Sequence, residues 1–425
     1  MNQRRRDDGA EQAQPEMSRQ QRTTRVKIKY LQGLAALIML SLSCLVHAQG
    51  TWDAQDYDLY SGDFDGDGNT DILYVAKSAS RSSGIARSDG TAPDIAWQSW
   101  PSNFLGIQWS GNAYNVIVAD FNGDGKADIF LQSVAPGNSF LLLTNSVGQV
   151  AGITQTIPES AMGLLWSADQ HHIVAGAFTG TATGHPQAGL FLQATGSSGT
   201  NAIVLSDPNG MFTSASPSQT WSDGYLGFKW STQNANVYAG DFNGDGMADL
   251  LIQAKPGFVL IDFDVPITVP TYPPNMNGVV LAQAGTPIFA ATGVQAWSRM
   301  SNGVDWSPLT NTIVVAENGF GPATVILQAR SGTESSYELQ GSASGGIFSA
   351  GATALASNIG LSADSYRLIT GDFAGGTNAG VFYQTLTSAG TNYVSDSLGP
   401  AMTASSEPSL APTTPAPPAV CQPLL

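Results

Sequence analysis

Positions 120–128 of the chain read Asp120-Phe121-Asn122-Gly123-Asp124-Gly125-Lys126-Ala127-Asp128. Side-chain oxygens stand at the first, third, fifth and ninth positions of this stretch, and glycines stand at the fourth and sixth. Alternate oxygens can converge on one hard cation only where the chain bends tightly, and glycine permits that bend. The pattern therefore predicts a calcium-binding loop in which the backbone carbonyl of the seventh residue adds a further ligand.

Two further stretches repeat this arrangement. The predicted ligands of the three loops are Asp63, Asp65, Asp67, Asn69 and Asp71; Asp120, Asn122, Asp124, Lys126 and Asp128; and Asp241, Asn243, Asp245, Met247 and Asp249. At the seventh positions (Asn69, Lys126 and Met247) the ligand would be the backbone carbonyl. One Ca²⁺ per loop gives about three ions per chain. An acidic hairpin without a metal is the alternative.

The loops differ from EF-hands in two respects. An EF-hand carries a bidentate Glu at its twelfth position, whereas the corresponding residues are Tyr74, Leu131 and Ile252. The flanking segments, such as 115–119 and 129–131, are rich in β-branched and large apolar residues. This composition favours strands over helices. Each loop is therefore predicted to join two neighbouring strands.

An internal repeat accompanies the loops. A Trp lies eleven residues before the first loop position in five units, at Trp52, Trp109, Trp166, Trp230 and Trp306, and a sixth unit begins at Leu361 without one. Most of these units also have Gly three residues before the Trp. Gln recurs at two further positions, in one series at Gln98, Gln155, Gln219 and Gln295 and in another at Gln132, Gln193, Gln253, Gln328 and Gln384.

The repeat predicts an all-β fold. Successive loop starts are separated by 57, 57, 64, 76 and 55 residues, and each unit offers about four short β segments. Four strands in each repeat of about 40–60 residues are typical of a β-propeller blade. We therefore predict a propeller over residues 49–404, with six blades of four antiparallel strands and with the Trp residues packed between the sheets.

The loop segments 62–71, 119–128 and 240–249 resemble FG-GAP and VCBS repeats. The resemblance covers nearly all of residues 52–404. It implies an integrin-α-like propeller with calcium in hairpin loops of its blades, in agreement with the residue pattern. The best-known propellers of this class have seven blades, so seven is the alternative to six.

Three units depart from the loop pattern. Their first positions are Ala177, Glu317 and Asp372, and the acidic residues expected later are missing, so we expect blades without calcium there. The histidines of the first of these units (His171, His172 and His185) are interpreted as strand-end residues, with a softer metal as the alternative. The Pro-rich insertion at 265–274 is predicted to leave the sheet as a loop, because Pro cannot donate to a ladder.

The two ends of the chain have their own patterns. Residues 1–48 carry eight basic residues and then an apolar run from Leu31 to Val46, which is shorter than the roughly 20 residues needed to span a bilayer. This predicts a bacterial signal peptide cleaved after Ala48, with no membrane span afterwards and with secretion or surface display; the periplasm is the alternative. Residues 405–425, with six prolines, are predicted to form a disordered tail.

Charge and motifs bear on function. Residues 1–48 hold eight of the 17 basic and four of the 33 acidic residues, which leaves nine and 29, a net charge of −20. Such a surface repels nucleic-acid phosphates. Motifs of the HExxH, GxSxG or Cys–His type are lacking, so the sequence favours a binding or adhesion module for an extracellular protein or glycan. The alternatives are a polysaccharide lyase or glycoside hydrolase on a calcium-stabilised propeller, and a propeller fragment of a larger YD-repeat or toxin-type protein.

Overall fold

A computed structural model describes residues 52–88, 93–180, 185, 187–263, 265–271, 277–318, 321–343, 346–355, 362–373, 379–387 and 392–395, with the backbone alone at 93–96, 257–271 and 318. The predicted signal segment (1–48) and tail (405–425) lie outside the described residues. Within them, the one helix is a 3₁₀ turn at Tyr225–Gly227. No described helix is long and apolar enough to cross a bilayer.

The strands form six antiparallel sheets, which we call blades 1–6. Blade 1 contains β1 (Tyr57–Gly62), β2 (Asp71–Ala76), β3 (Ser83–Ser88) and β4 (Pro93–Trp100). After a hairpin of β5 (Asn103–Phe104) and β6 (Ile107–Gln108), blade 2 contains β7 (Tyr114–Ala119), β8 (Asp128–Ser133), β9 (Ser139–Leu142) and β10 (Gln155–Ile157). After β11 (Ser160–Ala161) and β12 (Leu164–Leu165), blade 3 contains β13 (His171–Gly176), β14 (Gly189–Ala194), β15 (Thr200–Val204) and β16 (Gln219–Ser222).

Blades 4–6 repeat this order. Blade 4 begins with β17 (Ala235–Gly240) and β18 (Asp249–Ala254), continues past a separate hairpin of β19 (Gly257–Phe263) and β20 (Val265–Thr271), and ends with β21 (Asn277–Ala282) and β22 (Phe289–Trp297). After β23 (Met300–Ser301) and β24 (Val304–Asp305), blade 5 contains β25 (Asn311–Asn318), β26 (Gly321–Ala329), β27 (Tyr337–Gln340) and β28 (Thr353–Ala354). Blade 6 contains β29 (Tyr366–Gly371), β30 (Gly380–Thr385) and β31 (Tyr393–Ser395) among the described residues.

The second strand of a blade is buried on both faces. Every residue of β2, β8, β14, β18 and β30 is buried. These strands therefore have continuous apolar runs, such as Ile129–Leu131, instead of the alternation of a half-exposed strand. A sheet buried on both faces needs a neighbour on each side, which the blades supply to one another.

The blades close into a ring. Their first strands contact one another in the order β1, β7, β13, β17, β25 and β29, and β29 contacts β1 again. Across the closure, the Ala54 N–H donates to the Thr385 carbonyl at 2.8 Å, and Arg367 Nη1 donates to Asp58 Oδ1 at 2.9 Å. The predicted propeller is confirmed, with six blades and not seven.

The first strands line a central channel with two distinct ends. Each first strand begins a few residues after the repeat Trp and ends at the loop that leads to the second strand. We call the end near Trp52, Trp109, Trp166, Trp230 and Trp306 the Trp rim, and the opposite end the loop rim. Trp166, Trp230 and Trp306 have no exposed surface, and the other two are at most 6% exposed. The predicted packing of these residues between sheets is confirmed.

In four units, the Gly three residues before the Trp occupies a tight turn. Gly106, Gly163 and Gly303 have φ values of 75°, 75° and 78°, and the residues before them also have positive φ. Two successive positive φ values are typical of a type I′ turn, which joins short strand pairs such as β5 and β6. The turn brings the Trp back beneath the blade, where Trp166 Nε1 donates to the Ala161 carbonyl at 3.1 Å.

One series of glutamines, which we call the inner glutamines, ties each of blades 2–6 to the next blade, whereas blade 1 has Val75 at this position. Gln132 Nε2 in blade 2 donates to the carbonyls of Trp166 (3.0 Å) and His171 (2.6 Å) in blade 3. The same bonds recur from Gln193 to Trp230 and Ala235, from Gln253 to Trp306 and Asn311, and from Gln328 to Tyr366. Gln384 donates to Trp52 (3.1 Å) and Tyr57 (2.9 Å) of blade 1 and so closes the ring.

The second series joins the fourth strand of one blade to the third-to-fourth-strand region of the next blade. Gln155 Nε2 donates to the Phe212 carbonyl, and Phe212 N–H donates to Gln155 Oε1, both at 2.9 Å. Gln98 and Val150 exchange the same two bonds, as do Gln219 and Phe289. Both glutamine series therefore satisfy buried backbone groups of the neighbouring blade.

The Pro-rich insertion differs from the prediction. As expected, it leaves the blade, because β18 pairs directly with β21. It is not a loop, however, since β20 pairs with β19 over seven residue pairs. A two-stranded ribbon needs hydrogen bonds on only one edge of each strand, so residues such as Pro266 and Pro270 fit with their nitrogens outward. The remaining predicted residues, 272–274, lie outside the described part of the chain.

Candidate metal centre

The first Asp of each predicted loop organises the bend. Asp63 Oδ1 accepts the N–H of Gly66 at 2.7 Å, and Asp63 Oδ2 accepts that of Gly68 at 2.9 Å. Both glycines have positive φ, 79° and 90°, a conformation in which a side chain is strained. The carboxylate is thereby fixed inside the turn.

The other two loops have the same geometry. Asp120 accepts N–H groups from Gly123 (2.6 Å) and Gly125 (2.8 Å). Asp241 likewise accepts those of Gly244 (2.7 Å) and Gly246 (2.8 Å). The three loops are therefore one local structure, as their sequence pattern predicted.

The side chains at the third and fifth loop positions also hold the bend, because their oxygens accept N–H groups two residues further along the chain. In the second loop, Asn122 Oδ1 accepts the Asp124 N–H at 3.0 Å, and Asp124 Oδ1 accepts the Lys126 N–H at 2.9 Å. The matching pairs elsewhere are Asp65 with Asp67, Asp67 with Asn69, Asn243 with Asp245, and Asp245 with Met247. The seventh residues thus stand at the exit of each turn, held through their N–H groups.

The ninth Asp is buried at the start of the second strand. Asp71 Oδ2 accepts the Phe64 N–H at 3.0 Å, and Asp71 Oδ1 accepts the Ser88 N–H at 2.8 Å. Asp128 and Asp249 make the equivalent bonds to Phe121 and Thr144 and to Phe242 and Ala282. Burial raises the pKa of Asp71 and of Asp128 to about 7 and that of Asp249 to about 8.

The carboxylates of the first loop converge. Ligand oxygens of Asp63, Asp65 and Asp71 lie within 4.8 Å of one another, and no other group of three His, Cys, Asp or Glu side chains in the described residues does so. The second and third loops have an amide, Asn122 or Asn243, at the third position in place of a carboxylate. Burial raises the pKa of Asp63, and Asp67 and Asp65 raise it further. A concentrated set of oxygen donors with excess negative charge fits Ca²⁺, which prefers such ligands.

Two cations form ion pairs with loop carboxylates, and neither pair was predicted from the sequence. Arg87 pairs with Asp65 Oδ2, and its guanidinium lies 4.4 Å from the centre of the Trp97 ring. Lys126 Nζ lies 3.6 Å from Asp124 Oδ2. These charges offset part of the loop charge and would compete with a bound cation. The ion pair of Arg87 could not be predicted from the sequence, because it depends on the register in which β3 pairs with β2.

Each loop also lies against the following blade. The carbonyl of Asp63 accepts the N–H of Ala127 at 2.7 Å, and the same bond joins Asp120 to Ala188 and Asp241 to Ala323. The residue that begins a loop therefore also holds the next blade. An ion bound in the loop would stabilise a blade interface as well as a hairpin.

The units predicted to lack calcium have different local structures. In blade 5, Asn318 pairs directly with Gly321, so the two strands meet in a tight hairpin. In blade 3, His171 is buried and both ring nitrogens face carbonyl oxygens, those of Leu165 (2.6 Å) and Thr200 (2.9 Å). His171 has no nitrogen left for a metal, so the softer-metal alternative finds no support here. His185 lies beside Gly125 of the second loop.

Comparisons with known proteins agree with the repeat. A family model described as an FG-GAP-like repeat matches residues 51–131. This segment spans blade 1, β7 and most of β8 and includes two of the three acidic loops. No curated protein matches the chain significantly.

Three solved structures resemble the chain at low identity. An Agrocybe aegerita lectin, described as recognising non-reducing terminal N-acetylglucosamine, is 16% identical, with 82% of each chain covered and a TM-score of 0.46. BBS1N in complex with ARL6DN is 10% identical, with 80% of this chain and 91% of that chain covered and a TM-score of 0.38. A humanized mutant of the Chaetomium thermophilum Polycomb Repressive Complex 2, bound to the inhibitor GSK126, is 12% identical, with 82% and 69% covered and a TM-score of 0.36. By its sheet topology and the family match, the chain is a six-bladed β-propeller that carries an FG-GAP-like repeat at residues 51–131.

Proposed function

We propose that this protein is a secreted, calcium-binding propeller that acts as a binding or adhesion module for a protein or glycan at the cell surface. The observation that carries the calcium part is the convergence of Asp63, Asp65 and Asp71 in a loop whose hydrogen bonds recur in two other blades. The N-terminal pattern of residues 1–48 supports export.

Calcium would act on the ring as a whole. Only Cys421 remains after residue 48, so the exported chain has no internal disulfide. Ions in the loops of blades 1, 2 and 4 would hold three hairpins against the next blade. A ligand that binds only the folded state at a hundred times its dissociation constant stabilises it by about 2.7 kcal/mol.

The binding role is tested by a screen. The purified protein is applied to arrays of glycans and extracellular proteins in calcium and again after EDTA treatment. We expect a ligand that is retained in calcium and released as the chelator loosens the blades. A protein that retains no ligand under either condition would contradict the binding role.

One observation favours the enzymatic alternative. Lys255, Arg330, Tyr238 and His172 line a single cavity of the channel, and cationic and proton-transferring side chains in one cavity are common in catalytic sites. A glycoside hydrolase normally uses two carboxylic acids, and the described lining of this cavity contains none. Within the enzyme class, the cavity therefore favours a lyase that acts on an anionic polysaccharide. Release of unsaturated oligosaccharides from a polyuronate, followed by ultraviolet absorbance, tests it.

A further inference from the structure

The basic residues of the propeller are almost all paired. Nine basic residues follow residue 48, and the structure describes all nine. Seven form ion pairs with aspartates, namely Lys77, Arg81, Arg87, Lys126, Lys229, Arg299 and Arg367. For the other two, Lys255 and Arg330, no carboxylate of the described residues lies within ion-pair distance.

These two residues line the same cavity. It has a volume of about 380 Å³ and lies between the first strands of blades 3, 4 and 5. Lys255 follows β18 directly, and Arg330 follows β26 directly. His172, near the start of β13, lines the same wall. Because second strands end and first strands begin at the Trp rim, the cavity is the mouth of the channel opposite the acidic loops.

Both cations are held in place by neutral partners. Lys255 Nζ donates to the Thr232 carbonyl at 2.6 Å, and Arg330 Nε donates to the Pro308 carbonyl at 2.6 Å. An ammonium has three donors and a guanidinium has five, so each keeps donors for a ligand. The backbone bonds orient these side chains without neutralising them.

The surroundings show that the charge is uncompensated. Partial burial lowers the pKa of Lys255. Burial lowers the pKa of His172, and the charge of Lys255 lowers it further. The His172 side chain faces the channel but has protein around it. It is therefore both desolvated and close enough to Lys255 to be affected by that charge. A nearby anion would relieve the desolvated positive charge.

We propose that this cavity binds the carboxylate of an acidic sugar. An ammonium and a guanidinium suit a carboxylate, and the volume is within the range of about 300–1,000 Å³ usual for small-molecule sites. Between the cations, the wall carries the hydroxyl and amide groups of Thr195, Asn236 and Thr312. Thr195 and Thr312 donate to backbone carbonyls, and Asn236 donates to Gln253 Oε1. Their oxygens keep lone pairs that can accept hydrogen bonds from sugar hydroxyls.

The negative charge of the rest of the molecule favours this cavity over other surfaces as a site for an anion. The net charge beyond residue 48 is −20, so most of the surface repels anions. An anionic ligand is therefore attracted where the basic residues lack acidic partners. This inference names the ligand of the binding function proposed above and rests on it, but it does not depend on calcium.

Calorimetric titration of the full purified protein tests the inference. D-glucuronate and D-galacturonate are the probes, and D-glucose is the neutral control. We expect the uronates to bind and glucose not to bind, with weaker binding at high salt. The variants Lys255→Met and Arg330→Gln should each weaken binding about tenfold or more, since each removes a charged hydrogen-bond donor. The control Lys229→Met, which changes an exposed Lys outside the cavity, should bind as the wild type does.

Two further variants guard against misfolding. Lys255→Arg and Arg330→Lys keep the charge and should retain more affinity than the neutral variants, with thermal unfolding checking the fold of each. Uronate affinity that is unchanged in Lys255→Met and Arg330→Gln would overturn the inference. A preference for an acidic peptide over uronates would do the same.

The two proposals can fail separately. If the wild type binds no uronate but the array screen finds another ligand, the cavity assignment is wrong and the binding role stands. If uronates bind and the neutral variants abolish this while the screen finds no macromolecular ligand, the cavity assignment stands and the adhesion role is wrong.

Discussion

Replacing Gln384 with Met tests whether the inner glutamines hold the ring closed. The Gln384 amide is fully buried, and its Nε2 donates to the carbonyls of Trp52 and Tyr57 across the closure between blades 6 and 1. Met has a similar length but no donor. The variant therefore keeps the packing and removes two hydrogen bonds.

The expected loss follows from those two carbonyls. A buried acceptor left without a donor costs about 1–3 kcal/mol. The substitution also removes Gln384 Oε1, which is itself buried without a hydrogen-bond partner, and this offsets part of the loss. We expect the free energy of unfolding to fall by about 2–4 kcal/mol.

Denaturant unfolding in excess calcium, followed by Trp fluorescence, measures this change. Gln193→Met removes the equivalent two bonds between blades 3 and 4 and should cost a similar amount if the ring unfolds as one unit. Gln55→Met is the matched control, because Gln55 is exposed and its side-chain amide makes no hydrogen bond among the described residues; it should change stability by no more than about 0.5 kcal/mol. If Gln384→Met is as stable as Gln55→Met, the inner glutamines do not carry the closure.

Two other predictions concern the loops. In millimolar calcium, Asp67→Ala should lower the melting temperature more than Asp124→Ala or Asp245→Ala does. The reason is that the first loop has four carboxylates and the others have three. An equal or smaller drop for Asp67→Ala would show that loop charge does not set the order. Arg87→Met should raise the calcium affinity of the first loop several-fold, since it removes a cation that pairs with one of its carboxylates. Calorimetry measures this against Arg81→Met, whose aspartate partner lies outside the loops, and an unchanged affinity would contradict the competition.

The repeat made much of the fold predictable. The Trp, the Gly and each Gln series recur at fixed distances from the loops because each has the same structural role in the blades that carry it. The spacing therefore predicted six blades, with seven as the alternative, and the buried Trp series. The roles of Gly106 and Gln132 did not, since a type I′ turn and a bond to the next blade depend on conformation and on neighbours distant in the chain.

Part of the candidate site could not be predicted. One of the two N–H donors to each ninth Asp comes from a distant residue, namely Ser88, Thr144 or Ala282, and a backbone group imposes no residue type on the sequence. The cavity at Lys255 and Arg330 was hidden for another reason. Its members come from three blades, and what sets these cations apart is a missing partner, which only the fold reveals.

The Pro-rich insertion shows the limit of a local rule. Pro266 and Pro270 argue against a central strand, and indeed they are not in the blade. The rule does not exclude a two-stranded ribbon, in which one edge of each strand stays open.

Calcium titration of the chelator-treated protein measures whether the three acidic loops bind the ion. Isothermal titration should find one ion for each loop, and Asp63→Ala, Asp120→Ala and Asp241→Ala should each remove one ion. A protein that binds no calcium, or whose binding is unchanged in all three variants, would contradict calcium binding by the loops.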